Sequence, residues 1–203
     1  MYGRQVGDHL LSFGHEGVLY NKSFVMYDRE TDSLWVHTTG ASIKGELRGA
    51  ALEFLPSEVV PWSVWRERHP DTLVLDRGGE SEGFMGTFEM ADQPSEFGAS
   101  VGGGAAPVLY PLEALQAAGV INDGGRVVLY LKDSATLRSF MSEGRSYQLL
   151  GSGRLSDGGS NTWDPASGKI LSGGADDLTR IVSTAWRLER WDGFYPDGEV
   201  FGE

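Results

Sequence analysis

Two histidines and a glutamate form the clearest candidate metal-binding set in this sequence. His15 and Glu16 lie on one predicted strand, and His37 lies on a neighbouring predicted strand. Imidazole nitrogens combined with a carboxylate suit Zn²⁺, Cu²⁺ or non-haem Fe²⁺. These residues lack the i, i+2 or i, i+4 spacing of strong metal motifs, so folding would have to bring them together. The alternative is that the histidines are ordinary residues without a ligand.

A second candidate site combines charged residues in a turn with two tryptophans. Asp28 and Arg29 could contact a ligand as a carboxylate and an anion clamp. The alternative is an ordinary turn, in which Asp28 accepts hydrogen bonds from its own loop and Arg29 pairs with a nearby acid. Trp62 and Trp186 are candidate pocket residues, because aromatic side chains often line small-molecule sites.

The usual catalytic motifs are absent or incomplete. The chain has no cysteine, which excludes disulfides, thiolate metal sites and cysteine nucleophiles. Residues 98–102 read Gly-Ala-Ser-Val-Gly, but the strand and helix that flank a nucleophile elbow are not predicted there. No histidine follows residue 69. Whether the protein is an enzyme therefore stays open, its catalytic residues are unknown, and the cofactor suggested by the residues is a divalent metal such as zinc, copper or iron.

Composition limits the classes of partner. The 203 residues include 17 basic and 29 acidic side chains, which gives a formal net charge of −12. Such a charge argues against general affinity for nucleic acid or an anionic membrane. No apolar run reaches the roughly 18–20 residues that a membrane span needs, and the first eight residues contain no apolar signal core. We expect a soluble acidic protein, cytoplasmic as written, with a small molecule or a protein as its partner.

Short alternating apolar segments predict a mainly β fold with minor α+β character. The predicted strands are residues 9–14, 18–20, 24–27, 33–38, 51–55, 107–110, 126–131 and 146–150. The predicted helices are short: residues 63–69, 111–118, 133–142 and 188–193.

The two halves of the chain share the spacing of their tryptophans, glycines and prolines. Trp35 is followed by glycine after five and ten residues, and so is Trp163. Trp65 stands five residues before a Pro-Asp pair, and Trp191 does the same. This self-similarity predicts a duplicated β-rich unit, arranged as a pseudo-twofold pair. The four tryptophans are then expected to anchor the cores.

The repeat also predicts the domain organisation. Residues 1–75 form a first unit that is incomplete at its N-terminus, and residues 105–203 form a second. Residues 76–104, rich in glycine and acids, form a long connection between them. We expect a ligand- or partner-binding module with a cleft between the two units. A metal-dependent enzyme using His15, Glu16 and His37, and a structural or assembly protein, are the alternatives.

Four segments resemble a known family. Residues 26–35 read Met-Tyr-Asp-Arg-Glu-Thr-Asp-Ser-Leu-Trp, and residues 69–75 read His-Pro-Asp-Thr-Leu-Val-Leu. Residues 110–115 read Tyr-Pro-Leu-Glu-Ala-Leu, and residues 194–197 read Phe-Tyr-Pro-Asp. Together they resemble the family called domain of unknown function 3179 over nearly the whole chain. The resemblance implies no activity, but it implies that relatives carry an upstream Cys-Pro-Leu-Cys element, absent here, and that many of them are exported.

Overall fold

The computed structural model describes residues 1–57, 60–74, 93–102, 106–134 and 136–203. Strands dominate this part of the chain, which confirms the mainly β prediction. Both of its α-helices have seven residues. No helix in the described ranges is long and apolar enough to cross a membrane.

The strands follow one another along the whole described chain. They are β1 (Gln5–Val6), β2 (His9–Leu10), β3 (Phe13–Tyr20), β4 (Ser23–Asp28), β5 (Leu34–Val36), β6 (Ser42–Lys44), β7 (Phe97–Val101), β8 (Val108–Pro111), β9 (Val120–Asp123), β10 (Arg126–Leu131), β11 (Thr136–Met141), β12 (Gln148–Leu149), β13 (Leu155–Ser156), β14 (Thr162–Trp163), β15 (Ile170–Ser172) and β16 (Ser183–Arg187). The helices are α1 (Trp62–Arg68) and α2 (Leu112–Ala118), with 3₁₀ turns at Lys132–Ser134 and Leu188–Arg190.

Two of the sheets have the same design. One has the strand order β3-β4-β5-β6 and the other β12-β13-β14-β15, so each is a four-stranded meander. Within both, consecutive strands pair antiparallel. Two three-stranded sheets, β11-β10-β9 and β16-β7-β8, and the hairpin β1-β2 complete the described sheets.

The chain forms two compact units, each assembled from separate segments. Unit 1 contains residues 1–57, 98–110 and 181–203, and unit 2 contains residues 58–97 and 111–180. The chain therefore leaves and re-enters both units. The continuous repeat units inferred from the sequence stay a prediction.

Trp35 anchors the meander of unit 1. Its side chain is fully buried and packs with Leu52. The Phe13 ring meets it edge-on, with centroids 6.0 Å apart and an interplanar angle of 89°. Gly40 has a φ of +68°, and a Cβ added there would lie 2.6 Å from a ring carbon of Tyr2. The glycine five residues after the tryptophan is therefore required by both backbone conformation and space.

Trp163 anchors the meander of unit 2 in the same way. It is fully buried and packs with Leu178. The Tyr147 ring meets it edge-on at 5.4 Å and 70°. Gly168 has a φ of +77°, and an added Cβ would lie 2.6 Å from a ring carbon of Phe140. The shared spacing in the sequence thus corresponds to shared packing at these two tryptophans.

The structure corrects the helix predicted over residues 133–142. Among the described residues of this range, only the end of a 3₁₀ turn at Lys132–Ser134 is helical, and Thr136–Met141 is strand β11. All six residues of β11 pair with β10. A hairpin partner nearby in the sequence overrides the weak local preference for helix.

Strand β7, Phe97–Val101, lies inside the segment predicted to be a connection, and all five of its residues are buried. This strand is not evident from the sequence, because the residues in its middle are small. A Cβ added at Gly98 would lie 2.7 Å from the carbonyl oxygen of Tyr110. Most of the rest of that connection falls outside the described residues. The predicted strand over residues 51–55 is reduced to isolated bridges, one of them between Phe54 and Tyr2.

Candidate functional site

Asp28 is fully buried, and its hydrogen bonds stabilise the fold of unit 1. Its carboxylate accepts the backbone N–H of Thr31 at 2.6 Å and the indole N–H of Trp35 at 2.8 Å. Burial opposes ionisation of Asp28, but these hydrogen bonds outweigh it and hold the carboxyl pKa below its ordinary value. The geometry matches the ordinary-turn alternative, and it gives a ligand no access to this carboxylate.

Arg29 follows in the same turn and is exposed. Its guanidinium carbon lies 5.6 Å from the centroid of the Tyr27 ring, and Nη1 donates to the Tyr27 hydroxyl at 3.4 Å. The main-chain N–H of Arg29 donates to the carbonyl of Ser12 at 2.9 Å. Contact of Arg29 with an anion stays a prediction.

A phenylalanine contacts both of the predicted metal-binding histidines. The Phe24 ring stacks on His15 with centroids 4.6 Å apart, and it meets His37 at 5.5 Å. Within the described residues, no group of three or more His, Cys, Asp or Glu side chains is placed to hold a metal ion. The structure therefore does not assemble His15, Glu16 and His37 into a ligand set. A metal site here stays an untested prediction.

The two candidate pocket tryptophans have opposite environments. Trp186 is 5% exposed and packs edge-on against Trp191 at 5.5 Å and Phe194 at 5.7 Å. It lines a pocket of about 10 Å³ with Ser100, which is room for roughly one water molecule. Trp62 lies on α1 and is 50% exposed. Trp186 thus belongs to a core cluster of unit 1, and neither residue lines the larger groove described next.

Unit 2 contains a groove of about 770 Å³, a volume typical of small-molecule sites. Apolar side chains form much of its lining: Val120, Leu131, Leu149, Leu150, Pro165 and Ala166. Charged side chains also line it: Arg68, Lys132, Asp133 and Asp164. We refer to this feature as the groove. Its mixture of apolar surface and a few charges suits an amphipathic ligand.

A tightly bonded loop forms one wall of the groove. The Asp164 carboxylate accepts the backbone N–H of Ala166 at 3.2 Å and the hydroxyl of Ser167 at 2.5 Å. The buried Arg138 donates from Nε to the carbonyl of Ala166 at 2.7 Å. The Asp164 carboxylate therefore accepts hydrogen bonds from its own turn. The buried side chain of Arg138 holds this wall of the groove in position.

An amide side chain holds another segment of the groove lining. Asn122 on β9 accepts the backbone N–H of Tyr147 at 2.7 Å and donates to its carbonyl at 2.9 Å. Tyr147 precedes β12, and its N–H and C=O both bond to the Asn122 amide instead of to β13. Main-chain direction alternates along a strand, so the N–H and C=O of Leu149 face the same way. β12 is an edge strand of its sheet, and both of its residues, Gln148 and Leu149, line the groove.

The residues of the groove were not among the predicted site residues. Arg68, Lys132 and Leu149 carry no motif, and they come together only through folding. One signal was present in the sequence: Phe194 stands 126 residues after Arg68, and Trp191 stands 126 residues after Trp65. At this spacing the first half of the sequence has a cation where the second half has an aromatic residue.

Comparison with protein families found a similarity in the first part of the chain. Residues 1–91 match the family described as "Protein of unknown function (DUF3179)". Neither the curated proteins nor the solved structures gave a match. Residues 26–35 and 69–75, which carry the resemblance in the sequence, lie within the matched range. This match covers less than half of the 203 residues, so it shows what residues 1–91 are similar to.

Proposed function

We propose that this protein is a ligand-binding module and that its site is the groove of unit 2. The observation that carries the proposal is the groove itself, about 770 Å³ with apolar walls and a small number of charges. Sites with this volume and lining hold drug-sized molecules. A cleft between repeat units, which the sequence suggests, stays a separate prediction.

We also infer that the chain contains two copies of one structural repeat. Equivalent backbone hydrogen bonds support this. Leu52 donates to the carbonyl of Gly40 at 2.9 Å, and Leu178 donates to that of Gly168 at 2.8 Å. The second tryptophan of each copy supports it too, since Trp65 packs on the aromatic ring four residues later at 4.0 Å, and Trp191 does so at 4.5 Å.

The proposal is tested by blocking the groove at its helical wall. Ala118 ends α2, is exposed and lines the groove, whereas Ala117 is exposed on the same helix and is not part of the lining. The probe is a mixture of neutral, cationic and anionic fragments, added to ¹⁵N-labelled protein. We expect amide shifts at Val120, Leu131 and Leu149. Ala118→Trp should abolish these shifts, and Ala117→Trp should leave them intact.

The two variants make the outcome decisive. Circular dichroism of both proteins checks that each is folded. The proposal is wrong if no fragment shifts the groove amides of the wild-type protein. It is also wrong if Ala118→Trp and Ala117→Trp respond equally to the fragments that do bind.

A further inference from the structure

One border of the groove is the edge of a sheet. Five consecutive residues, 147–151, line the groove, and they include both residues of β12. Successive side chains of a strand point to opposite faces of its sheet, so an unbroken run of lining residues indicates that the edge of the strand borders the groove. β12 is the end strand of its sheet and pairs with β13 on one side. The main-chain groups on its other side therefore lie next to the groove.

The register of β12 with β13 shows which main-chain groups point outwards. Leu150 donates its N–H to the carbonyl of Arg154 at 2.8 Å, across the turn that joins the two strands. Leu149 stands opposite Leu155, one pair further from this turn. Hydrogen-bonded and non-hydrogen-bonded pairs alternate in an antiparallel ladder, so the N–H and C=O of Leu149 point away from β13. The main chain of Tyr147, two residues earlier, follows the same alternation, because it bonds to a side chain instead of to β13.

Tyr147 and Leu149 differ in what meets these outward groups. The Asn122 side-chain amide bonds to both main-chain groups of Tyr147, at 2.7 Å to its nitrogen and 2.9 Å to its carbonyl oxygen. Val120 lies two residues before Asn122, on the same face of β9, and it lines the groove. The valine side chain has no group that can bond to a main chain. Among the described residues, none forms a hydrogen bond with the outward N–H and C=O of Leu149.

We propose that the groove binds a neutral ligand through an amide whose N–H and C=O lie on one edge, as in a primary carboxamide or a lactam. The C=O of the ligand accepts the Leu149 N–H, and the N–H of the ligand donates to the Leu149 carbonyl. The Asn122 amide forms the same arrangement at Tyr147. This inference rests on the proposed function and specifies the chemical class of its ligand.

The rest of the lining fits the body of such a ligand. Its apolar residues, which include Leu131, Leu150 and Pro165, can cover an aromatic or aliphatic group. The lining also contains two basic and two acidic side chains, whose formal charges cancel. A lining without net charge gives an ion no electrostatic advantage, so a neutral polar group is favoured.

The position of the N–H relative to the C=O sets the specificity. A primary carboxamide and a lactam have both groups on one edge, so both can bond to a single residue. An ordinary secondary amide is trans, and its N–H and C=O point to opposite sides. It can therefore form only one of the two bonds to Leu149. The loss of a bond that leaves a main-chain group unpaired should weaken binding roughly tenfold.

The test is an NMR titration of the full chain with benzamide. N-methylbenzamide and N,N-dimethylbenzamide are the matched probes, because the first is a trans amide and the second has no N–H. We expect benzamide to shift the amide of Leu149. Both other probes should bind at least roughly tenfold more weakly.

Hydrogen exchange of single amides tests the bond itself. In the free protein, the Leu149 N–H should exchange faster than the Leu150 N–H, which is bonded to the Arg154 carbonyl. Benzamide at about nine times its dissociation constant should slow exchange at Leu149 roughly tenfold, because only the free tenth of the protein then exchanges. If exchange at Leu149 is unchanged while benzamide is bound, the proposed bond is wrong.

Two substitutions at Leu149 separate its main-chain donor from its side chain. Leu149→Pro removes the outward N–H and leaves the pairing with β13 in place, because that N–H points away from β13. Leu149→Ala also removes most of the side chain but keeps the N–H. Benzamide should bind to Leu149→Pro roughly tenfold more weakly than to Leu149→Ala. Circular dichroism checks that both are folded, and the probe series on the wild type decides the proposal if the proline variant does not fold.

The possible results separate this inference from the proposed function. If other fragments shift the groove amides and benzamide does not, the ligand class is wrong and the groove remains a binding site. If benzamide and N-methylbenzamide bind equally, or if the two Leu149 variants bind benzamide equally, the bonding at Leu149 is wrong. If no fragment of any kind shifts the groove amides, both proposals fail.

Discussion

Trp35 in unit 1 and Trp163 in unit 2 have the same packing but different hydrogen-bond partners. Each is fully buried against an edge-on aromatic ring. The Trp35 indole donates to the buried carboxylate of Asp28 at 2.8 Å, whereas the Trp163 indole donates to the main-chain carbonyl of Asp176 at 2.9 Å. The comparison teaches that the packing around two tryptophans can be the same while the polar partner differs, a titratable group in one case and a fixed main-chain group in the other.

Removing either indole tests the equivalence with the largest expected effect. Trp35→Ala and Trp163→Ala should each lower the free energy of unfolding by about 3–5 kcal/mol, because each leaves a large cavity in a closed core. Urea unfolding followed by circular dichroism measures both. Trp62→Ala, which truncates a half-exposed side chain, should cost roughly 0.5 kcal/mol or less. A small effect at only one of the two buried tryptophans would break the comparison.

Substitution of the glycine five residues after each tryptophan tests the same comparison at the backbone. Gly40→Ala and Gly168→Ala each force a Cβ to within 2.6 Å of an aromatic ring at a left-handed φ. Left-handed strain and overpacking together should cost about 2–4 kcal/mol in thermal or urea unfolding. Gly7→Ala in unit 1 and Gly153→Ala in unit 2 are matched controls, since both have positive φ but open space. These controls should cost only about 1–2 kcal/mol. Equal losses in tests and controls would show that ring contact is unimportant.

The features that the sequence predicted correctly are those with a local or repeated cause. Spacing alone indicated that Trp35 and Trp163 are core residues, and both are fully buried. Alternating segments predicted β4 and β10 nearly at their observed bounds. The β-rich class follows from such short segments, whose turns are marked by glycine and aspartate.

The features that the sequence did not reveal depend on long-range pairing. Strand β11 was predicted as a helix, because its pairing with β10 is not visible in its own residues. The contacts of Phe24 with both His15 and His37 are details of packing that the sequence does not reveal, and the metal site itself stays a prediction. The groove joins α1 to residues that follow it by 50 or more positions, so no local pattern marks it.

The difference in indole partners predicts a difference in acid stability, the smallest of the three effects. Asp28 has a lowered pKa, so folding favours its ionised form. Its contribution is present above the ordinary carboxyl pKa of about 3.9 and is lost as pH falls through the lower folded-state value. Asp28→Asn should therefore cost about 1–2 kcal/mol at pH 7 and progressively less towards pH 3.

Asp176 supplies the matched control, because the Trp163 indole bonds to its main-chain carbonyl and its side chain is exposed. Asp176→Asn keeps that carbonyl, so its stability should follow that of the wild type at pH 7 and at pH 3. Urea midpoints of the three proteins across this range measure the effect. If Asp28→Asn parallels the wild type at every pH, the buried carboxylate contributes no pH-dependent stability, and the two tryptophans are equivalent in their polar contacts as well as in their packing.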